Sequence, residues 1–161
     1  VLTFEELKQI FEATGVDPSE MEDIPSEHSS TSGRIYARTG GVSKSISDTL
    51  NRLRPDKPVK IQAMQANGIK ECKAFLKDIL NNEIKANFYE GMGCLGGCVG
   101  GPKAILDVDK GTEFVNKYGA EAEAFTPADN PHVLELLKQL GIDNVEELLG
   151  GESAAIFQRE F

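Results

Sequence analysis

Two cysteines four residues apart, Cys94 and Cys98, lie inside the most unusual stretch of this 161-residue sequence: Glu90-Gly91-Met92-Gly93-Cys94-Leu95-Gly96-Gly97-Cys98-Val99-Gly100-Gly101-Pro102-Lys103. Six glycines in the eleven positions 91–101 let the backbone come within hydrogen-bonding distance of something bulky or anionic. Several chemistries compete for such a loop. A phosphate loop needs Gly before its Lys and a hydroxyl after it, whereas here Pro102 precedes Lys103 and Ala104 follows. A thioredoxin-like dithiol has two residues between its thiols rather than three. A radical-type C-x3-C-x2-C cluster needs a third cysteine at position 101, which is Gly101. Zinc needs four ligands, and Cys72, His28 and His132 stand at no characteristic spacing from the pair. An iron–sulfur site is the fifth reading, since glycine amides, those of Gly96 and Gly97 among them, hydrogen-bond cluster sulfides without side-chain bulk. A four-cysteine cluster cannot close in a chain of three cysteines, and Cys72 falls on an apolar helical stripe, where it reads as a small core residue. Two thiolates are at hand and two must come from elsewhere.

The elements that position this loop are legible in the surrounding pattern. Alternation over Pro58–Met64 predicts a strand, Asn67-Gly68 a turn, and Ile69, Cys72, Leu76, Ile79 and Leu80 one face of a helix. A second strand, Ala86–Tyr89, feeds directly into the glycine-rich run. A strand, a crossover helix and a strand at this length favour parallel pairing, with the loop at a strand C-terminus, where α/β sheets place ligands. Upstream, Val42, Ile46, Leu50 and Leu53 repeat at helical spacing before Pro55, so Gly40 and Gly41 sit at a helix start whose free N–H groups can face an anion. Thr3-Phe4-Glu5-Glu6 is a capping box, with Leu2 and Leu7 as a hydrophobic staple and Gly15 as the stop. Residues 20–32 read as an acidic, serine-rich loop. Pro102 to about Tyr118 is mixed helical, Asn130-Pro131 opens a helix closed by Gly141, and Asp143–Leu149 gives a short helix closed by Gly150. The fold class is α/β, a small parallel sheet flanked by helices, with a helical segment at the C-terminal end.

Composition narrows the partners. A net charge of −9 argues against nucleic acid. The charge is uneven: residues 1–27 hold eight acids against one Lys, while residues 34–60 hold seven Lys and Arg against Asp48 and Asp56. That basic stretch either meets an acidic partner or is simply a solvated face. No apolar run approaches the roughly 18 residues of a membrane helix, so no membrane partner is expected. An odd cysteine count favours reduced thiols or metal ligands, and with Val1-Leu2-Thr3-Phe4-Glu5 carrying no signal-peptide pattern the chain is read as cytoplasmic. Its start reads as the middle of something longer.

The loop resembles the third cluster motif of the iron-only ([FeFe]) hydrogenases, E-x-M-x-C-x-x-G-C-x-x-G-G-x-x-P. Glu90, Met92, Cys94, Gly97, Cys98, Gly100 or Gly101, and Pro102 match it. Gly33-Arg34-Ile35-Tyr36-Ala37-Arg38-Thr39-Gly40-Gly41-Val42 is similar to the family's aromatic-G-x-[ST]-G-G-V segment, and Val59–Leu80 to its strand–helix unit. Leu2 to Leu7 resembles the helix after its second motif. The likeness is clear over residues 1–110, with 111–161 as a C-terminal helical extension of one lobe spanning 1–161.

The resemblance implies a lobe of an iron–sulfur oxidoreductase that interconverts protons and H2. Cys94 and Cys98 would ligate a [4Fe–4S] subcluster, and Cys98 would bridge to a diiron subcluster. Met92 would pack beside the diiron unit, Tyr36 would be the pocket aromatic, and Gly40 and Gly41 would lie near the metal ligands. The partners implied are the N-terminal lobe of the same protein and a ferredoxin-like electron carrier. The family's earlier motifs, T-S-C-C-P and M-P-C-x-x-K-x-x-E, do not occur in the sequence. The chain alone is therefore expected to hold no intact cluster and to evolve no H2, with its loop unshaped or closed by a disulfide. Leu95 in place of Pro, Gly91 and Gly93 in place of larger residues, and the short glycine run before Pro102 depart from the usual motif. They leave open a non-catalytic relative that senses H2 or redox state, or takes part in cytosolic Fe–S assembly.

Overall fold

A computed structural model describes residues 1–22, 28–57, 59–83, 85–145, 147–150 and 155. Helix α1 (Phe4–Thr14) opens on the expected capping box: the Thr3 side chain accepts from the Glu6 N–H while Glu6 accepts from the Thr3 N–H at 2.8 Å. It closes on Gly15, whose φ of 67° is the left-handed value that glycine adopts without cost. The loop read over residues 20–32 is shorter than expected. Ser30 caps a single turn, α2 (Thr31–Arg34), and residues 23–27 lie outside the described residues. A 3-10 turn over Ile35–Ala37 leads into α3 (Gly41–Leu53).

The sheet has two parallel strands, β1 (Ala63–Asn67) and β2 (Phe88–Met92), in register from Ala63 opposite Phe88 to Asn67 opposite Met92. Helix α4 (Ile69–Leu80) crosses between them, as the spacing predicted. Both strands begin later than their sequence patterns. Residues 59–62 form no ladder, though the Gln62 carbonyl accepts from the Asn87 and Phe88 N–H groups at 3.1 and 3.3 Å, and Pro58 lies outside the described residues. The ladder instead continues through Gly91 and Met92. Glycine-rich sequence reads as loop, yet here pairing with Ala66 and Asn67 extends it.

After the cysteine loop come α5 (Val108–Ala120), α6 (Pro131–Gln139) and α7 (Glu147–Gly150). The last begins at Glu147, four residues after the expected start, and includes Gly150; the Asn144 Oδ1 accepts from the Glu147 N–H at 3.1 Å. The class is α/β. The buried apolar residues among those described are few: Ile35, Ala66, Ala86, Leu137 and Ile142. Buried beside them are Ser32, Ser43, Ser45, Glu90, Thr126 and Asn130. Helix α3 shows why the centre is so polar. Its buried positions are Gly41, Ser43 and Ser45, while the stripe of Val42, Ile46, Leu50 and Leu53 is only half-buried. A Cβ on Gly41 would lie 1.9 Å from the Ile35 carbonyl oxygen, so only glycine permits this approach.

Candidate metal centre

Strand β2 delivers Glu90 inward and hands the chain to the cysteine loop. Glu90 is 4% exposed, and its carboxylate accepts from the Gly40 N–H at 2.7 Å, the Ser43 N–H at 2.8 Å and the Ser43 hydroxyl. The anion anticipated at the start of α3 is thus a side chain of the motif itself. Its charge is held by amides that α3 cannot satisfy internally and by the positive end of the helix dipole. Gln65 on β1 completes the contact by donating to Ser43 Oγ at 3.0 Å.

Beyond β2 the loop is shaped by its own backbone. The Gly97 N–H donates to the Cys94 carbonyl at 3.1 Å, and a 3-10 turn over Cys98–Gly100 ends where the Gly101 N–H donates to Cys98 at 3.0 Å. Asn67, at the end of β1, accepts from the Gly96 N–H at 2.6 Å and the Thr39 hydroxyl at 3.2 Å through one side-chain oxygen. The Thr39 N–H returns a bond to the Gly96 carbonyl at 2.9 Å. The expected lack of shape without a cluster is therefore not found. Asn67 and Thr39 fix the loop, and Cys72, Cys94 and Cys98 are free thiols. Sequence reasoning read Asn67 only as a turn residue; nothing in its spacing marked it as the partner of Gly96.

The loop glycines serve the protein's own packing more than the open space above them. A Cβ on Gly96 would meet Val108 Cγ1 of α5 at 2.1 Å, and one on Gly97 the Ala37 oxygen and Thr39 nitrogen at 2.9 Å. A Cβ on Gly100 would meet the Leu95 oxygen at 1.8 Å, whereas one on Gly93 meets nothing within 4 Å. Both Gly96 and Gly97 hold positive φ, 84° and 86°, values costly for other residues.

Cys98 is exposed and Cys94 half-buried. Cys98 lines a cavity of about 250 Å³ with Leu2, Phe4 and Leu7 of the α1 region and with Gly101 and Pro102. Two soft thiols on one amide-rich turn beside an apolar cavity are a donor set suited to iron–sulfur ligation. They make half of a four-thiolate set, and no group of three or more His, Cys, Asp or Glu side chains forms a metal site among the described residues. Met92 is half-buried, and its carbonyl accepts from the Gly68 N–H at 2.8 Å and from the Cys72 thiol at 3.5 Å. Cys72 therefore sits against the strand, half-buried, rather than deep in a core. Tyr36, 46% exposed, lines a groove along α3 with Ile46, Thr49, Leu50, Leu53 and Pro127 that no residue of the cysteine loop lines. The structure thus brings Gly40, Glu90, Gly96 and Gly97 into one connected cluster with the cysteine turn, and leaves Tyr36 in another groove.

A family model described as the iron only hydrogenase large subunit, C-terminal domain, matches residues 1–102. The chain belongs to that family. The match ends at Pro102, the residue that closes the cysteine loop, so α5 to α7 lie beyond it. No curated protein matches the chain. Membership of this family supports a hydrogenase-type oxidoreductase, and the family implies iron–sulfur clusters in the parent protein. Among the described residues, no helix is long and apolar enough to cross a membrane.

Proposed function

We propose that this chain is one lobe of an [FeFe]-hydrogenase-type oxidoreductase and contributes Cys94 and Cys98 as two of four thiolates to a [4Fe–4S] subcluster. The other two come from an N-terminal lobe of the same protein, and electrons arrive from a ferredoxin-like carrier. The observation that carries this reading is the clamp of Glu90 on Gly40 and Ser43, which docks the cysteine-bearing strand onto the Gly40-Gly41 segment. When bound, the cluster with its diiron unit supplies the redox chemistry of 2 H⁺ + 2 e⁻ ⇌ H2. The protein's part is to hold two thiolates on a rigid turn beside the apolar side lined by Leu2, Phe4 and Leu7.

A second reading, a cluster-carrying relative without turnover, draws on Tyr36, whose groove includes no residue of the cysteine loop. Reconstitution and maturation of the full-length protein, so that the diiron unit is supplied as well as the iron–sulfur cluster, separates the two. Cluster signals in electron paramagnetic resonance that disappear in Cys94→Ser and Cys98→Ser, with H2 evolution from reduced methyl viologen, support the hydrogenase. The same signals without H2 support the relative. No cluster, or one indifferent to both substitutions, overturns both readings. This chain by itself evolves no H2, for it holds only half the ligands.

A further inference from the structure

The turn that carries the two thiols owes its shape to a side chain from another element. Cys94 and Cys98 flank Leu95, Gly96 and Gly97, and the middle residue, Gly96, is buried. Its N–H is spent on the Oδ1 of Asn67, 2.6 Å away, and the Gly97 N–H on the Cys94 carbonyl at 3.1 Å. Against the expectation from the glycine-rich sequence, neither amide is left for a cluster sulfide. What these two glycines supply is shape, and Asn67 holds that shape at its centre.

Asn67 is itself firmly set. It ends β1, paired with Met92 in the ladder. Its own N–H donates to Glu71 Oε2 in the first turn of α4 at 2.7 Å, and the N–H of the next residue, Gly68, donates to the Met92 carbonyl at 2.8 Å. From that post its Oδ1 takes two donors at once, the Gly96 N–H and, at 3.2 Å, the Thr39 hydroxyl. Two donors converging on one atom need a carbonyl-type oxygen with two lone pairs. A serine oxygen is one bond short of this reach, and a glutamine oxygen one bond long. Only Asn and Asp carry such an oxygen here, and Asp would bring a negative charge to Gly96, which is two residues from each thiol. Thiols bind metal as thiolates, so a carboxylate at position 67 would face like charge.

We propose that Asn67 is a positioning residue of the metal centre. Its carboxamide oxygen sets the turn between Cys94 and Cys98, and its neutrality keeps an anion away from the thiolates and from the cluster they hold. The cluster half of this proposal rests on the iron–sulfur reading above, whereas the turn-setting half rests on the hydrogen bonds alone. The reduction potential of an iron–sulfur cluster depends on the net charge around it, and a negative charge nearby lowers it. Asparagine in place of its isosteric acid thus keeps the potential higher while giving the turn the same two bonds.

Two substitutions separate shape from charge. Asn67→Asp keeps both accepted bonds and adds a charge, while Asn67→Ser withdraws the oxygen and adds none. In this chain alone, amide hydrogen exchange followed by NMR reads the turn. The Gly96 and Thr39 amides exchange about tenfold faster or more in Asn67→Ser, and at the parental rate in Asn67→Asp. The amide of buried Ser32 in α2, bonded to the Phe125 carbonyl at 3.0 Å, tells a loosened turn from a loosened lobe. Unchanged Gly96 exchange in Asn67→Ser, or a rise that Ser32 shares equally, overturns the turn-setting role. In the full-length protein reconstituted anaerobically with iron and sulfide, Asn67→Ser loses iron to a chelator roughly tenfold faster than the parent. Asn67→Asp holds its iron as the parent does, but electron paramagnetic resonance against applied potential shows its cluster reduced at a lower potential. A merely structural asparagine would leave that potential where it is. A cluster indifferent to both substitutions leaves the iron–sulfur reading standing and overturns the proposal. Should the full-length protein take up no cluster while Gly96 exchange responds as stated, the iron–sulfur reading falls and Asn67 stands as the residue that sets the turn.

Discussion

Ser43 donates both its backbone N–H, at 2.8 Å, and its hydroxyl to the carboxylate of Glu90. With the Gly40 N–H on the other oxygen, one buried acid satisfies the start of α3 and fixes β2 against it. Glu90→Ala leaves two amides and a hydroxyl without a partner in a buried place, and costs about 2–4 kcal/mol. Glu90→Gln keeps an acceptor but loses the charge at the helix start, and costs about 1–2 kcal/mol. Urea unfolding of both variants checks the ranking; a loss under about 0.5 kcal/mol in the alanine variant contradicts the clamp.

Gly96 and Gly93 lie three residues apart in the same loop, and the structure separates them sharply. Gly96→Ala places a methyl 2.1 Å from Val108 Cγ1 at a φ of 84°, and destabilises by about 2–4 kcal/mol. Val108→Ala in the same chain recovers the steric part but not the backbone part. Gly93→Ala meets nothing and stays within about 0.5 kcal/mol of the parent. Equal effects of the two alanines in thermal melts would show that the contact with α5 does not set the loop.

The three thiols differ in access. Cys98 is exposed, Cys94 is half-buried, and Cys72 is half-buried with its thiol directed at the Met92 carbonyl. Iodoacetamide labelling followed by peptide mass spectrometry yields Cys98 first and Cys72 last. Early modification of Cys72 in the folded chain is the contrary result.

Asp129 titrates below the ordinary carboxylate range because the Thr126 hydroxyl, and then the Arg52 guanidinium, donate to its charged form. The folded value lies below the unfolded one of about 3.9. The group's contribution to stability is thus complete above that pH and is lost as pH falls through the folded value. Urea midpoints followed from neutral pH to about pH 3 fall less steeply in Asp129→Asn than in the parent. Parallel acid limbs would remove Asp129 as a contributor.

The sequence was informative where one local signal sufficed. The capping box at Thr3, the α4 boundaries at Ile69 and Leu80 and the parallel crossover follow from spacing and short-range chemistry. The strand ends were not legible, because Gly91 and Met92 join the ladder only through partners 25 residues upstream. Within the site, Cys94, Cys98 and the helix-start glycines stood out by type. Asn67 did not, for its role depends on Thr39 and Gly96 arriving at one oxygen from two distant segments. Nor did the basic run betray that its charges are taken up internally, since such pairs span 77 or more residues for Arg38 and Arg52.

Helix α1 buries none of its residues completely, and Glu5 reaches across to Lys103 in an exposed ion pair at 2.7 Å. So exposed a pair contributes little, because water screens it. The wall that α1 builds beside Cys98 is thereby held by a small local free energy, well below that of unfolding the whole lobe. Cys98 is already exposed, so a small reagent reaches it without any opening; what a partial opening of one helix removes is the apolar wall of the cavity that this thiol borders. The residence time of α1 in its closed position, not the stability of the sheet, then sets how long that apolar wall persists.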